Sequence, residues 1–166
     1  MNFWQHKSIS LGLLIAAIGL AGCAPSTPKA PTAKKPVAAV KPECVAPATN
    51  DPLIGNWLSK HQEKGMAGEL RTLITLNEDG TMAYTQQIKR PRQPSQGISE
   101  QGCWTHNQAR LQLQTLTSNG ADVDLDDPLY TNTFTVRQPQ ADQLRLQGDS
   151  GSFNLVRTSP GYRLPF

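Results

Sequence analysis

Net charge is scarce in this sequence. Sixteen Lys and Arg face thirteen Asp and Glu, and the net charge is +3. From Asp51 onward eleven Lys/Arg stand against twelve Asp/Glu, so the excess lies ahead of that point. A near-neutral domain offers no basic face to nucleic acid, and no acidic tail is present either. Histidine is rare too: beyond residue 50 only His61 and His106 occur, neither in a recognisable base motif. No nucleophile–base pair is visible, which argues against an enzyme. No segment keeps a 3.6-residue apolar period, which excludes a helical bundle. Long apolar runs are limited to Ile9–Ile18, about ten residues, the length of a signal-peptide core and too short to span a bilayer unaided.

That run is flanked as a secretory signal is. Lys7, with His6, supplies a short positive region, and Leu20-Ala21-Gly22-Cys23 follows the apolar stretch. The four residues resemble the bacterial lipobox of lipoprotein signal peptides. Small residues admit the backbone to a peptidase, and the Cys23 thiol is the nucleophile that takes a diacylglycerol. The resemblance implies cleavage before Cys23, acylation of the new amino terminus, and anchoring by three acyl chains at about 0.8 kcal/mol per buried methylene. Ala24 after the cysteine, rather than Asp, implies export to the outer membrane. Residues 1–22 are thus read as a signal peptide. Residues 23–50 are read as the lipidated cysteine and a tether in which Pro25, Pro28, Pro31, Pro36, Pro42 and Pro47 interrupt Ala, Thr, Lys and Val. With few large apolar groups to offset ordering entropy, this stretch favours extended polyproline II, a spacer of roughly 80 Å at about 3.1 Å per residue.

Of the three cysteines, lipidation consumes Cys23 and leaves Cys44 and Cys103. In an oxidising compartment an even pair points to a disulfide that fixes the end of the tether to the domain. The alternative is two free thiols with a redox or metal role, which their wide spacing disfavours.

Residues 51–166 read as β-structure. Leu70, Thr72, Ile74 and Leu76 alternate; Asn77-Glu78-Asp79-Gly80 supplies a tight turn; Met82, Tyr84, Gln86 and Ile88 return. Ile98, Glu100, Gly102 and Trp104 alternate again, as do Tyr130, Asn132, Phe134 and Val136. Short strands at Leu111–Leu113, Leu144–Leu146 and Phe153–Leu155 complete the series. About eight short strands predict an all-β antiparallel meander that closes into a small barrel, because closure removes its edges.

Gly55-Asn56-Trp57, Thr72–Leu76, Asp79-Gly80-Thr81, Glu100–Trp104 and Leu111-Gln112-Leu113 follow an order that resembles lipocalin-like outer-membrane lipoproteins. It is similar to the N-terminal domain of the new lipoprotein E family, linked to copper and surface stress. The resemblance covers most of residues 53–157 and implies a lipocalin-like barrel in the envelope with a binding or monitoring role. That family carries a CxxC pair between its first two strands, where this chain has Gln62-Glu63-Lys64-Gly65-Met66. The metal or redox role of the pair is therefore not implied, and no cofactor is expected.

Three weaker patterns were weighed. Gly148-Asp149-Ser150-Gly151-Ser152 echoes the nucleophile loop of serine proteases, but it fits a hairpin turn better and has no partner base. Asp122, Asp124, Asp126 and Asp127 alternate as calcium ligands do, without the turn glycine or the twelfth-position glutamate, so a solvated acidic loop is expected. His61, Met66 and His106 would make a soft metal site only if folding gathered them, and no metal site is expected. The aromatics Trp57, Tyr84, Trp104, Tyr130, Phe134 and Phe153 serve either as core or as the lining of a ligand cavity, with Trp57, Tyr84, Trp104, Tyr130 and Phe134 the leading cavity candidates.

The sequence thus predicts a lipid-anchored envelope lipoprotein whose barrel acts as a non-enzymatic binding or envelope-sensing module. Its expected partners are the membrane, through the anchor, and a small apolar ligand or an envelope protein. A structural or assembly accessory that holds a partner near the outer membrane or cell wall is the alternative.

Overall fold

The computed structural model describes residues 41–137, 139–149 and 151–165. The expected signal peptide, Cys23 and the tether as far as residue 40 lie outside the described residues. The fold is all-β. Eight strands follow one another antiparallel around a closed barrel: β1 (Gly55–His61), β2 (Glu69–Leu76), β3 (Thr81–Lys89), β4 (Gln96–Asn107), β5 (Arg110–Ser118), β7 (Thr131–Arg137), β8 (Gln143–Gly148) and β9 (Gly151–Thr158). The last pairs back onto the first, Trp57 opposite Arg157. The two-residue β6 (Ala121–Asp122) pairs with the end of β5 and is additional to the barrel.

Alternation decides which face turns inward. Along β2 the inward set is Thr72, Ile74 and Leu76, and along β3 it begins with Met82 and Tyr84; Ile74 pairs with Tyr84, and Leu76 with Met82. A one-residue slip would send this whole set to solvent, so burial fixes the register. At the β2–β3 turn, Gly80 takes φ +82°, and a Cβ there would collide with the Val45 carbonyl. Glycine is needed for both reasons. Asp79 Oδ1 accepts hydrogen bonds from the Thr81 amide at 2.9 Å and hydroxyl at 2.6 Å, which hold its carboxyl below the usual range. Closure demands a bend in the long β4. It comes as a register shift between Gln101 and Gly102, where a side chain on Gly102 would strike the Gln114 carbonyl.

The lower end of the barrel, where β1 and β3 begin, is sealed. Leu53, Trp57, Trp104, Leu111 and Leu146 have no exposed surface. Each indole N–H, which would be costly to bury unpaired, donates to a backbone carbonyl: Trp57 to Leu53 at 2.8 Å and Trp104 to Asn77 at 2.9 Å. The segment leading into β1 forms the plug. A disulfide joins Cys44 to Cys103, with Cα atoms 5.2 Å apart. Asp51 accepts the Leu53 amide at 2.9 Å and lies 2.8 Å from His106 Nδ1. A carboxylate only accepts, so Nδ1 carries the proton. Arg157 donates to the carbonyls of Pro52, Ile54 and Ala141 and lies 4.1 Å over the Trp57 ring. The chain is therefore attached from Cys44, ahead of the Asp51 boundary read from the sequence.

On the outside, Leu164 folds back against Leu58 and Leu73, with Tyr162 beside them. The C-terminal segment thus covers an apolar spot on β1 and β2. Core, closure and disulfide all lie within the compact unit Ala39–Phe166, so this segment holds what it needs to fold alone.

Candidate functional site

At the upper end, away from the plug, the inward positions change character. Thr72 on β2, Tyr84 and Gln86 on β3, Glu100 on β4 and Thr115 on β5 bring polar groups into a row where the lower barrel has Leu, Ile and Trp. They satisfy one another in part. Gln86 Nε2 donates to Thr72 Oγ1 at 3.2 Å, and Thr115 Oγ1 donates to Glu100 Oε2 at 3.1 Å. Burial pushes the Tyr84 hydroxyl up to about 12; a hydrogen bond with Thr72 opposes this, and the nearby Glu100 charge adds to it. Tyr84 therefore stays a neutral donor at physiological pH.

Of these, Tyr84, Gln86, Glu100 and Thr115 edge a recess of about 410 Å³ whose apolar wall includes Met82, Ile98, Leu113, Phe134 and Phe153. Phe134 and Phe153 meet edge to face, ring centroids 5.8 Å apart and planes at 78°. This geometry suits the quadrupoles of both rings and gives the wall a defined shape.

A short 3-10 turn at Pro128–Tyr130 sets the rim. Asp127 caps it, its Oδ1 accepting the Leu129 amide at 2.9 Å, and Pro128 occupies the first turn position, where no donor is needed. Leu129 and Tyr130 both line the mouth, and Leu129 is 72% exposed. Gln114 ties this loop to β5, accepting from the Thr131 hydroxyl at 2.6 Å and donating to the Tyr130 carbonyl at 3.3 Å.

Of the six aromatics expected as core or cavity lining, Tyr84, Tyr130, Phe134 and Phe153 lie on the recess, whereas Trp57 and Trp104 lie wholly within the sealed lower core. Cys44 and Cys103 form the disulfide of the plug, on the far side from the recess. Sequence reasoning did not single out Gln86, Glu100 or Thr115 as site residues, nor Thr72, which Gln86 contacts. The signal was present: Thr72, Gln86 and Glu100 are polar residues in the inward phase of otherwise apolar alternations.

The other patterns resolve differently. Asp122 pairs with Lys41 at 2.7 Å, Asp124 accepts the Asp126 amide at 3.1 Å, and Asp127 is the cap. Among the described residues no three metal-ligating side chains cluster. His61 ends β1 at the upper end beside Glu63, and His106 lies at the lower end with Asp51, so folding does not gather the two. Gly148 pairs with Gly151 across the β8–β9 turn. A larger concavity, about 1090 Å³, lies outside the barrel between the C-terminal segment and β2–β4. It is a trough on the outer face of the sheet, floored by small side chains such as Thr75, Ala83 and Ser99.

Compared with family models and with curated proteins, the chain matches none.

Proposed function

We propose that the chain is a lipid-anchored envelope lipoprotein whose barrel takes up a small, largely apolar molecule, as a non-enzymatic binding or sensing module. One observation carries the reading. The barrel is plugged at one end and hollow at the other, and the hollow has an apolar wall with a few convergent polar groups. Its volume falls within the range of small-molecule sites, about 300–1,000 Å³. The recess offers a carboxylate and a phenol but no histidine beside a serine or cysteine, so it is suited to holding a ligand rather than to acyl transfer. The lipobox-like Leu20–Cys23 and the proline-rich stretch behind it support delivery to the outer membrane on a tether, with the barrel in the periplasm.

The unit 39–166, exported to an oxidising periplasm and examined by native mass spectrometry without reductant, tests the binding reading. A small-molecule mass retained on the folded barrel is the expected result. A bare protein mass that takes up no added apolar probe would overturn it. Anchoring is tested in the full chain: labelled palmitate is expected to attach to the protein and to be lost in Cys23→Ser.

A further inference from the structure

Glu100 is the one carboxyl-bearing residue lining the recess, which has no Lys, Arg or His; the other lining residues are apolar, amide, hydroxyl or phenolic. It is half-buried. None of the four ion pairs among the described residues includes it. Thr115 serves one carboxylate oxygen, Oε2, and Oε1 has no protein donor among the described residues. A half-buried carboxylate against an apolar wall gains from a counter-charge or a further donor at its free oxygen. The neighbouring surfaces are those that attract cations: Tyr130, Phe134 and Phe153 present aromatic rings to the same space.

From this placement we infer that the recess selects a small organic cation, an amine or ammonium group on an apolar body, with the charge at Glu100 and the body against Phe134 and Phe153. The inference rests on the binding reading above and adds the ligand's chemical class. The protonated nitrogen donates to Glu100 Oε1, and Thr115 holds the carboxylate in place through Oε2. The Tyr84 hydroxyl, also at the recess, supplies a neutral donor or acceptor beside the charge. The volume of about 410 Å³ limits the body to a small ring or short chain.

The test uses the unit 39–166 and three probes with one phenyl body: phenethylamine, phenethyl alcohol and phenylacetate, titrated calorimetrically at neutral pH and low salt. The amine is expected to bind at least about tenfold more tightly than the alcohol, the advantage of a donor that carries the opposite charge over a neutral donor to the same carboxylate, and phenylacetate is expected to bind weakest. Glu100→Gln should erase the amine's advantage over the alcohol. Equal affinities for amine and alcohol in the unsubstituted protein would overturn the charge preference and leave the binding reading standing. Failure of all three to bind would overturn both. The wild-type comparison decides even if Glu100→Gln does not fold.

Discussion

Tyr84 and Asp51 show what single polar side chains cost and contribute inside so small a barrel. Burial holds Tyr84 neutral up to about pH 12, against about 10 in the unfolded chain. The folded state therefore keeps a proton that the unfolded state releases, so stability is complete below pH 10 and falls as pH rises from 10 to 12. Urea unfolding across that window should show a loss of about 2–3 kcal/mol that is absent in Tyr84→Phe. Asp51 poses the opposite case. It accepts from both His106 Nδ1 and the Leu53 amide, and its side chain is 6% exposed. His106 Nε2 is already buried without a partner. Asp51→Ala would strand a second ring nitrogen and an amide, with an expected loss of about 2–3 kcal/mol in urea denaturation. A loss below about 0.5 kcal/mol would mean that water replaces the carboxylate. Neither role was legible beforehand. Tyr84 reads as one more inward aromatic, and Asp51 only as the start of the β domain, because each role depends on a neighbour brought from another strand.

At the scale of elements, the strands were legible because a sheet closed around a core forces a period of two, and the apolar residues keep it from Leu70 to Leu155. Pro128–Tyr130 and β6 were not, since three and two residues are too few to carry a period. The plug was half legible. Its Pro-Ala-Thr composition reads as spacer, and only the paired cysteines mark where it attaches. The disulfide closes a loop with a sequence separation of 59, worth roughly 4 kcal/mol by loop-closure entropy. Cys44→Ser with Cys103→Ser should lower stability by about that much in chemical denaturation. The plug also makes a sharper prediction. Gly80→Ala is costly partly through its positive φ and partly because the new methyl strikes the Val45 carbonyl. Once the disulfide is removed, the Val45 segment is free to retreat, so the second cost should fade. A double-mutant cycle should give a coupling of about 1 kcal/mol, with the Gly80→Ala penalty smaller in the double-serine background. Strict additivity would show that the plug keeps its place without its covalent tie.

Across the whole molecule, the two ends of one barrel are built for different work, and closure is what makes them so. The pairing of β4 with β5 and of β9 with β1 turns a row of strands into an enclosed space. In sequence, Thr72, Gln86, Glu100 and Thr115 are separate polar exceptions in four strands. Only closure and the shift at Gly102 place them around one recess, which is why the domain could be read from the chain and its site could not. Stability should follow the same division. The lower end combines the disulfide, both indole hydrogen bonds and the Arg157 contacts, whereas the 119–130 loop over the recess has few buried apolar groups. Native-state hydrogen exchange should therefore show the amides of Trp57 and Trp104 opening only with global unfolding, and those of 119–127 exchanging early. Saturating phenethylamine should slow exchange in the rim loop and around Ile98–Glu100, where openings are local, and should also slow the globally opening amides of the lower strands, because binding raises the free energy of global unfolding. Protection that rises at the plug without rising at the rim would place the ligand elsewhere than the recess.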